Sequence, residues 1–289
     1  MKKTGRTTVS VMNMSCLRHI RLALGISILA FSAATIAQVI PVSPPAQEGA
    51  VPAEPTMTFL WTSPQARAVL IFIPGGEGRL KLTPERKALG GFYGGALKPL
   101  SDPALTSALF HVVVFDSPVD LPVGSVYPVS RNSADHQMRV DSVVRYYKNK
   151  FNLPIWLMGH SNGVPSIVEY FKKLQDTQQE SMIEGLVYSS ARNGAYFRSG
   201  TRVPILFLAH EQDGCASSLV SNSRSHYRNL AGQGHTEIDY VLIQGGQSEG
   251  NPCNSGFHMF SGAYEQAYRA IDAFASPRLM PPVATPAAK

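Results

Sequence analysis

The 289-residue chain holds no H-E-x-x-H or other tight histidine spacing, so no metal site is read from it. Its glycine run Pro74-Gly75-Gly76-Glu77-Gly78 lacks the Lys-Ser/Thr ending of a phosphate loop and the spacing of a dinucleotide fingerprint. No cofactor is expected. No internal repeat is present, which excludes a solenoid or a propeller. The apolar run at 22–37 falls short of the roughly 20 residues that span a bilayer comfortably.

That run has another reading. Lys2, Lys3, Arg6, Arg18 and Arg21 precede it, and Thr35 and Ala37 supply small residues where a signal peptidase reads. Basic, apolar, then small is the layout of a secretory signal peptide. Residues 1–37 are therefore expected to be removed. The mature protein is expected to be exported, periplasmic or secreted, without stable membrane insertion. Cys16 precedes the apolar run and is misplaced for lipid attachment. The net charge of +6 includes five cations and no anions from residues 1–37, so the mature chain keeps only +1. No basic excess remains to hold nucleic acid. Two cysteines also remain, Cys215 and Cys253, and an even count in an exported chain favours a disulfide.

Residues 38–55 are rich in proline and alanine without apolar period and read as a flexible linker. Residues 276–289 have the same composition and read as a flexible tail. Between them, 56–275 reads as one domain. Continuous apolar runs recur at 68–73, 111–115, 155–158, 185–188, 204–209 and 238–243; Pro74, Asp116 and Gly159 stop the first three. Such runs suit strands covered on both faces. Helical spacing fills the gaps at 133–151, 164–174, more weakly 216–230, and 263–274, with Pro165 suited to a first turn. Strands alternating with helices predict an α/β fold with a mostly parallel central sheet and helices on both faces.

The chemistry centres on Gly159-His160-Ser161-Asn162-Gly163, a G-x-S-x-G match. A chance match arises in roughly one chain in ten of this length. Context strengthens it, because the pattern lies between a predicted buried strand and a predicted helix, where a nucleophile elbow must sit. A serine hydroxyl is a weak nucleophile and needs a positioned base. His226 falls in a helix and His235 precedes a strand, whereas His258 follows the last strand and precedes the final helix. His258 is the candidate base. Asp213 follows the run at 204–209 and is the candidate acid, with Glu211 as the alternative and His210 read as structural. Asp176 follows a helix and Asp239 lies inside a strand run. The tetrahedral intermediate needs an oxyanion hole. Its expected donors are the amides of Asn162 and Gly76, with Gly75 or Glu77 as alternatives to Gly76.

Taken together, the strand ending in Pro74-Gly75-Gly76, the GHSNG elbow, the strand-end Asp213 and the late His258 resemble the α/β-hydrolase superfamily over nearly all of 56–275. The segments at 210–215 and 251–258 are similar to small exported bacterial α/β-hydrolases. Pro74-Gly75 stands where that superfamily usually has His-Gly. The resemblance implies a serine hydrolase with a Ser161-His258-Asp213 triad cleaving a small carboxylic ester through an acyl-enzyme. A peptidase, amidase or thioesterase would use the same triad. A non-catalytic binding protein of the same fold is the alternative of another class. If Asp213 meets His258, their loops converge and a Cys215–Cys253 bridge becomes geometrically easy. Residues 189–202 are too few for a cap domain, so an open cleft is expected, walled by the loops at 92–108 and 116–131. Asp116 and Asp120 read as loop structure, and the oligomeric state leaves no trace in the sequence.

Overall fold

The computed structural model describes residues 36–46, 53–117 and 131–280. The expected signal peptide up to residue 35 and most of the expected wall loop at 116–131 lie outside them. Eight strands form one sheet in the order β1-β2-β4-β3-β5-β6-β7-β8. They are β1 (Ala37–Val42), β2 (Thr56–Trp61), β3 (Ala68–Ile73), β4 (Phe110–Phe115), β5 (Ile155–His160), β6 (Ile183–Ser189), β7 (Ile205–His210) and β8 (Ile238–Ile243). β1 and β2 pair antiparallel to their neighbours, and every other pairing is parallel. Helices α1 (Ala134–Phe151), α2 (Val164–Asp176), α3 (Val220–Gly232) and α4 (Tyr264–Leu279) fill the gaps.

Alternation along each strand divides the core. Val69, Ile71 and Ile73 of β3 join Leu157 of β5 and Tyr188 of β6 under α1 and α2. Leu70 and Phe72 join Trp156, Met158 and Leu206 on the opposite face under α4 and the turn around Phe92–Leu100. Both faces are covered, which is why these strands carry no polar alternation. Gly185 belongs to the same packing: a Cβ there would come 2.5 Å from the Trp156 ring. β8 departs from its expected full burial. It is an edge strand paired only with β7, and Asp239 is exposed on it.

Regular structure extends past both expected domain boundaries. Residues 37–42, read partly as linker, form β1 along β2, and Thr58 Oγ1 donates to the Ile40 carbonyl at 2.8 Å. The partner strand supplies order that local composition does not, and Pro41 is tolerable on an edge. At the other end α4 continues through Pro277 to Leu279. Arg278 secures that last turn: its guanidinium stacks 3.9 Å from the Phe274 ring centroid and pairs with Glu237 at 2.9 Å. Neither segment has the apolar period on which the boundaries were drawn.

Ser133 caps α1 by accepting from the His136 amide at 3.2 Å. His136 then packs between α1 and α2, its Nε2 sharing a hydrogen bond with Ser166 Oγ at 2.8 Å. Burial first, then Arg131 and Arg139, lowers the His136 pKa to about 3. The unfolded chain takes up a proton near pH 6.5 that the folded chain refuses, so this residue's contribution to stability rises with pH. We expect His136 to remove about 1.5 kcal/mol of stability as pH falls from 6.5 to 5. Urea unfolding of wild type and His136→Gln across that window checks this. The variant should show the shallower slope, and equal slopes would refute the assignment.

Candidate active site

Ser161 follows β5 directly, and its φ of 53° lies in the left-handed region that a non-glycine residue rarely enters. The neighbouring glycines show why the chain turns here. A Cβ on Gly163 would lie 2.0 Å from the Ile73 carbonyl oxygen at the end of β3. One on Gly159 would lie 2.7 Å from Gly163 O. Only bare backbone fits, so β5 passes through one tight turn into α2. Ser161 is left at the carboxyl end of the parallel strands, where open α/β sheets bind ligands.

Two other strand ends bring the partners. Asp213 follows β7, and its carboxylate is fully buried. His258 lies in the short 3₁₀ turn Gly256–Met259, between β8 and α4. His258 Nδ1 is 2.8 Å from Asp213 Oδ2, and the other carboxylate oxygen accepts from the Cys215 amide at 2.9 Å. An Nδ1–H donated to a carboxylate leaves the lone pair of the neutral ring on Nε2. That Nε2 is buried and finds no hydrogen-bond partner among the described residues. Of the two acids the sequence left open, Glu211 instead accepts from Gln244 at 2.9 Å. His210 is structural, its Nε2 on the Gly245 carbonyl at 2.7 Å and its Nδ1 accepting from the Gln212 amide at 3.1 Å. His226 and His235 likewise bond to backbone, at Phe197 and Val203.

Ser161 and His258 line one cavity of about 150 Å³ together with Gly75, Gly76, Phe72 and Tyr93. The turn after β3 closes from the Gly78 amide to the Gly75 carbonyl at 2.9 Å, so that bond does not use the Gly76 amide. Likewise the elbow closes from the Val164 amide to the Ser161 carbonyl and not through Asn162. The Asn162 side chain instead donates to Gly76 O at 3.0 Å, which ties the turn to the elbow. Gly75 abuts Ser161 so closely that a Cβ would lie 2.9 Å from Ser161 Cβ.

Four residues around the site were not singled out as functional in the sequence. Ser218 Oγ lies 3.3 Å from His258 Nδ1 and gives that ring a second polar neighbour. Tyr93 stands in a single π-helical turn, and burial, then the Asp116 carboxylate, pushes its phenol up to about 12. It therefore stays protonated at neutral pH. His160 packs 5.0 Å from the His258 ring with Nδ1 on Ser189 Oγ at 3.0 Å. Burial, then the neighbouring His258, holds its imidazole well below the ordinary histidine range. A neutral His160 does not oppose a positive charge on His258. Arg131 packs against the turn at Pro74–Gly78, where its Nη2 donates to the Pro74 and Gly76 carbonyls.

The structure contains a Cys215–Cys253 disulfide with Cα atoms 4.6 Å apart. Cys215 lies two residues beyond Asp213, and Cys253 lines the cavity. A loop of 38 positions closed in this way is worth about 4 kcal/mol on the chain-entropy model. We expect Cys215→Ser/Cys253→Ser to lose about 2–4 kcal/mol of unfolding free energy. Denaturant unfolding, beside thiol counting of the native wild type, checks this. Two free thiols in the wild type, or an unchanged midpoint, would contradict it.

No protein-family model matches the chain, and no curated protein matches it in sequence. Solved structures do resemble it. One is an α/β serine hydrolase without a lid from Xanthomonas campestris, with 14% identity and a TM-score of 0.55 over 87% of this chain and 97% of that one. A second is a dienelactone hydrolase from Anabaena variabilis, with 13% identity and a TM-score of 0.54 over 84% and 98%. A third is brefeldin A esterase, a bacterial homologue of human hormone-sensitive lipase, with 13% identity and a TM-score of 0.53 over 87% and 79%. These likenesses, with the strand order and the absence of a large cap among the described residues, give this chain the α/β-hydrolase fold.

Proposed function

We propose that the protein is an exported serine hydrolase that cleaves small carboxylic esters through an acyl-enzyme. The observation that carries the reading is the hydrogen bond from His258 Nδ1 to Asp213 Oδ2 at 2.8 Å, in a ring that shares its cavity with Ser161. Asp213 fixes the tautomer and orientation of His258. The free Nε2 takes the proton of Ser161 as Oγ bonds to the ester carbonyl carbon. The amides of Asn162 and Gly76 receive the oxyanion. Collapse breaks the carbon–oxygen bond, and the leaving alcohol takes the proton from His258. Water then attacks the acyl-enzyme by the same route, and the acid departs with Ser161 restored.

Several further features favour this reading. The cavity is modest and partly apolar, with Phe72 and Met259 in its wall. Two of the similar structures are described as an esterase and a dienelactone hydrolase. The disulfide favours an oxidising compartment, in keeping with removal of residues 1–37 on export.

A panel of p-nitrophenyl esters, with the matching anilides and thioesters, tests the assignment. Wild type should turn over short-chain esters and form a covalent adduct with a fluorophosphonate probe. Ser161→Ala should lose the adduct, and Ser161→Ala or His258→Ala should lower kcat by about 10⁴-fold or more. Asp213→Ala should cost somewhat less. Equal labelling of Ser161→Ala, or faster turnover of anilides than of esters, would overturn the assignment.

A further inference from the structure

Arg131 is 2% exposed, and a guanidinium stays protonated in proteins. A charge so buried must be met by acceptors. Its Nη2 donates to the carbonyls of Pro74 at 3.0 Å and Gly76 at 3.1 Å, both in the turn beside Ser161. Gly78 makes room for it, since a Cβ there would lie 2.5 Å from Arg131 Nη2. The Gly76 carbonyl is also held from the elbow by the Asn162 side chain at 3.0 Å. Between these two carbonyls, that of Gly75 accepts from the Gly78 amide at 2.9 Å.

All three peptide units from Pro74 to Glu77 therefore have their carbonyls fixed, two of them by Arg131. No peptide bond here is cis. In a planar trans peptide the N–H points opposite its carbonyl, so fixing the carbonyls fixes the amides of Gly75, Gly76 and Glu77. Those three amides are the candidates for the second oxyanion donor. Arg131 is itself anchored: Gln137 Nε2 donates to its carbonyl at 2.7 Å and lies 3.3 Å from the Ser166 carbonyl in α2. One buried chain of hydrogen bonds thus connects the elbow helix, Gln137, Arg131 and the turn.

We propose that Arg131 is a positioning residue that holds the Gly75–Gly76 peptide, whose N–H is the expected second oxyanion donor, in place relative to Ser161 by fixing the peptide planes on either side of it through the Pro74 and Gly76 carbonyls. The inference rests on the serine hydrolase reading. Arg131 touches no reacting atom. Removing it leaves the Pro74 carbonyl without that donor and the Gly76 carbonyl to Asn162, so the Gly75–Gly76 peptide between them can shift as a unit, and displacements near 1 Å in such sites cost about 100-fold in rate. The loss should fall on the transition state and spare substrate binding.

The test compares wild type, Arg131→Met and Arg131→Lys on p-nitrophenyl acetate, with the folded fraction of each measured by circular dichroism. A small alkylboronic acid serves as the probe, because its tetrahedral adduct places an oxygen where the oxyanion forms. Per folded molecule, Arg131→Met should lose about 10–100-fold in kcat with KM changed less than about threefold. Its inhibition constant for the boronic acid should rise by a similar factor. Arg131→Lys, which keeps a donor and the charge, should recover part of both. A folded Arg131→Met with kcat within threefold of wild type would overturn the proposal. So would a loss of rate without loss of boronic acid affinity, or no rescue by lysine. A wild type inactive on every ester and unlabelled by fluorophosphonate would instead overturn the hydrolase reading, and this inference with it.

Discussion

The turn between β5 and α2 brings two stretches of backbone closer than any side chain would permit. Gly163 lies so near the Ile73 carbonyl that β3 and the start of α2 meet without intervening atoms. That contact holds the Pro74–Gly78 turn against the elbow, and Ser161 takes up positive φ between them. The strained serine is retained because the surroundings determine its conformation from several sides. Gly159 and Gly163 leave the room for it, and the Asn162 side chain ties the two turns together.

A parallel sheet supplies the rest of the geometry. β3, β5 and β7 end on the same side, so the loops that follow them converge although they are far apart in sequence. The disulfide adds a covalent tie between the loops that carry Asp213 and His258. Electrostatics around the ring are simple. Asp213 is the charged group at Nδ1, and the adjacent His160 is kept neutral by burial. In the proposed mechanism this pairing would stabilise an imidazolium on His258 without a competing cation beside it.

Much of this was legible in the sequence for an identifiable reason. Strands buried on both faces leave uninterrupted apolar runs, and the hard stops after three of them, Pro74, Asp116 and Gly159, mark turns at the sheet's carboxyl edge. That logic pointed to Ser161, Asp213, His258 and the Pro74–Gly78 turn, which the structure gathers at one end of the sheet and to which the proposed function assigns the catalytic roles. It missed β1, where Pro41 and the flanking composition hide a strand ordered by its neighbour, it missed β2 at Thr56–Trp61, and it ended α4 too early at residue 274. Loop register left Asp213 and Glu211 open, and the backbone path after β7 separates them. Arg131, Gln137 and Ser218 left no signal, because they reach the site through loop or backbone contacts that no local pattern encodes.

The proposed catalysis requires that the elbow present Ser161 to a carbonyl carbon while fixed amides face the oxygen. A crystal structure of the protein after reaction with a small fluorophosphonate tests it most directly. Phosphorus should be bonded to Ser161 Oγ, with the phosphoryl oxygen accepting from the amides of Asn162 and Gly76 and His258 Nε2 within hydrogen-bonding distance of the adduct. Phosphorus on another residue, or a phosphoryl oxygen directed to solvent, would contradict it.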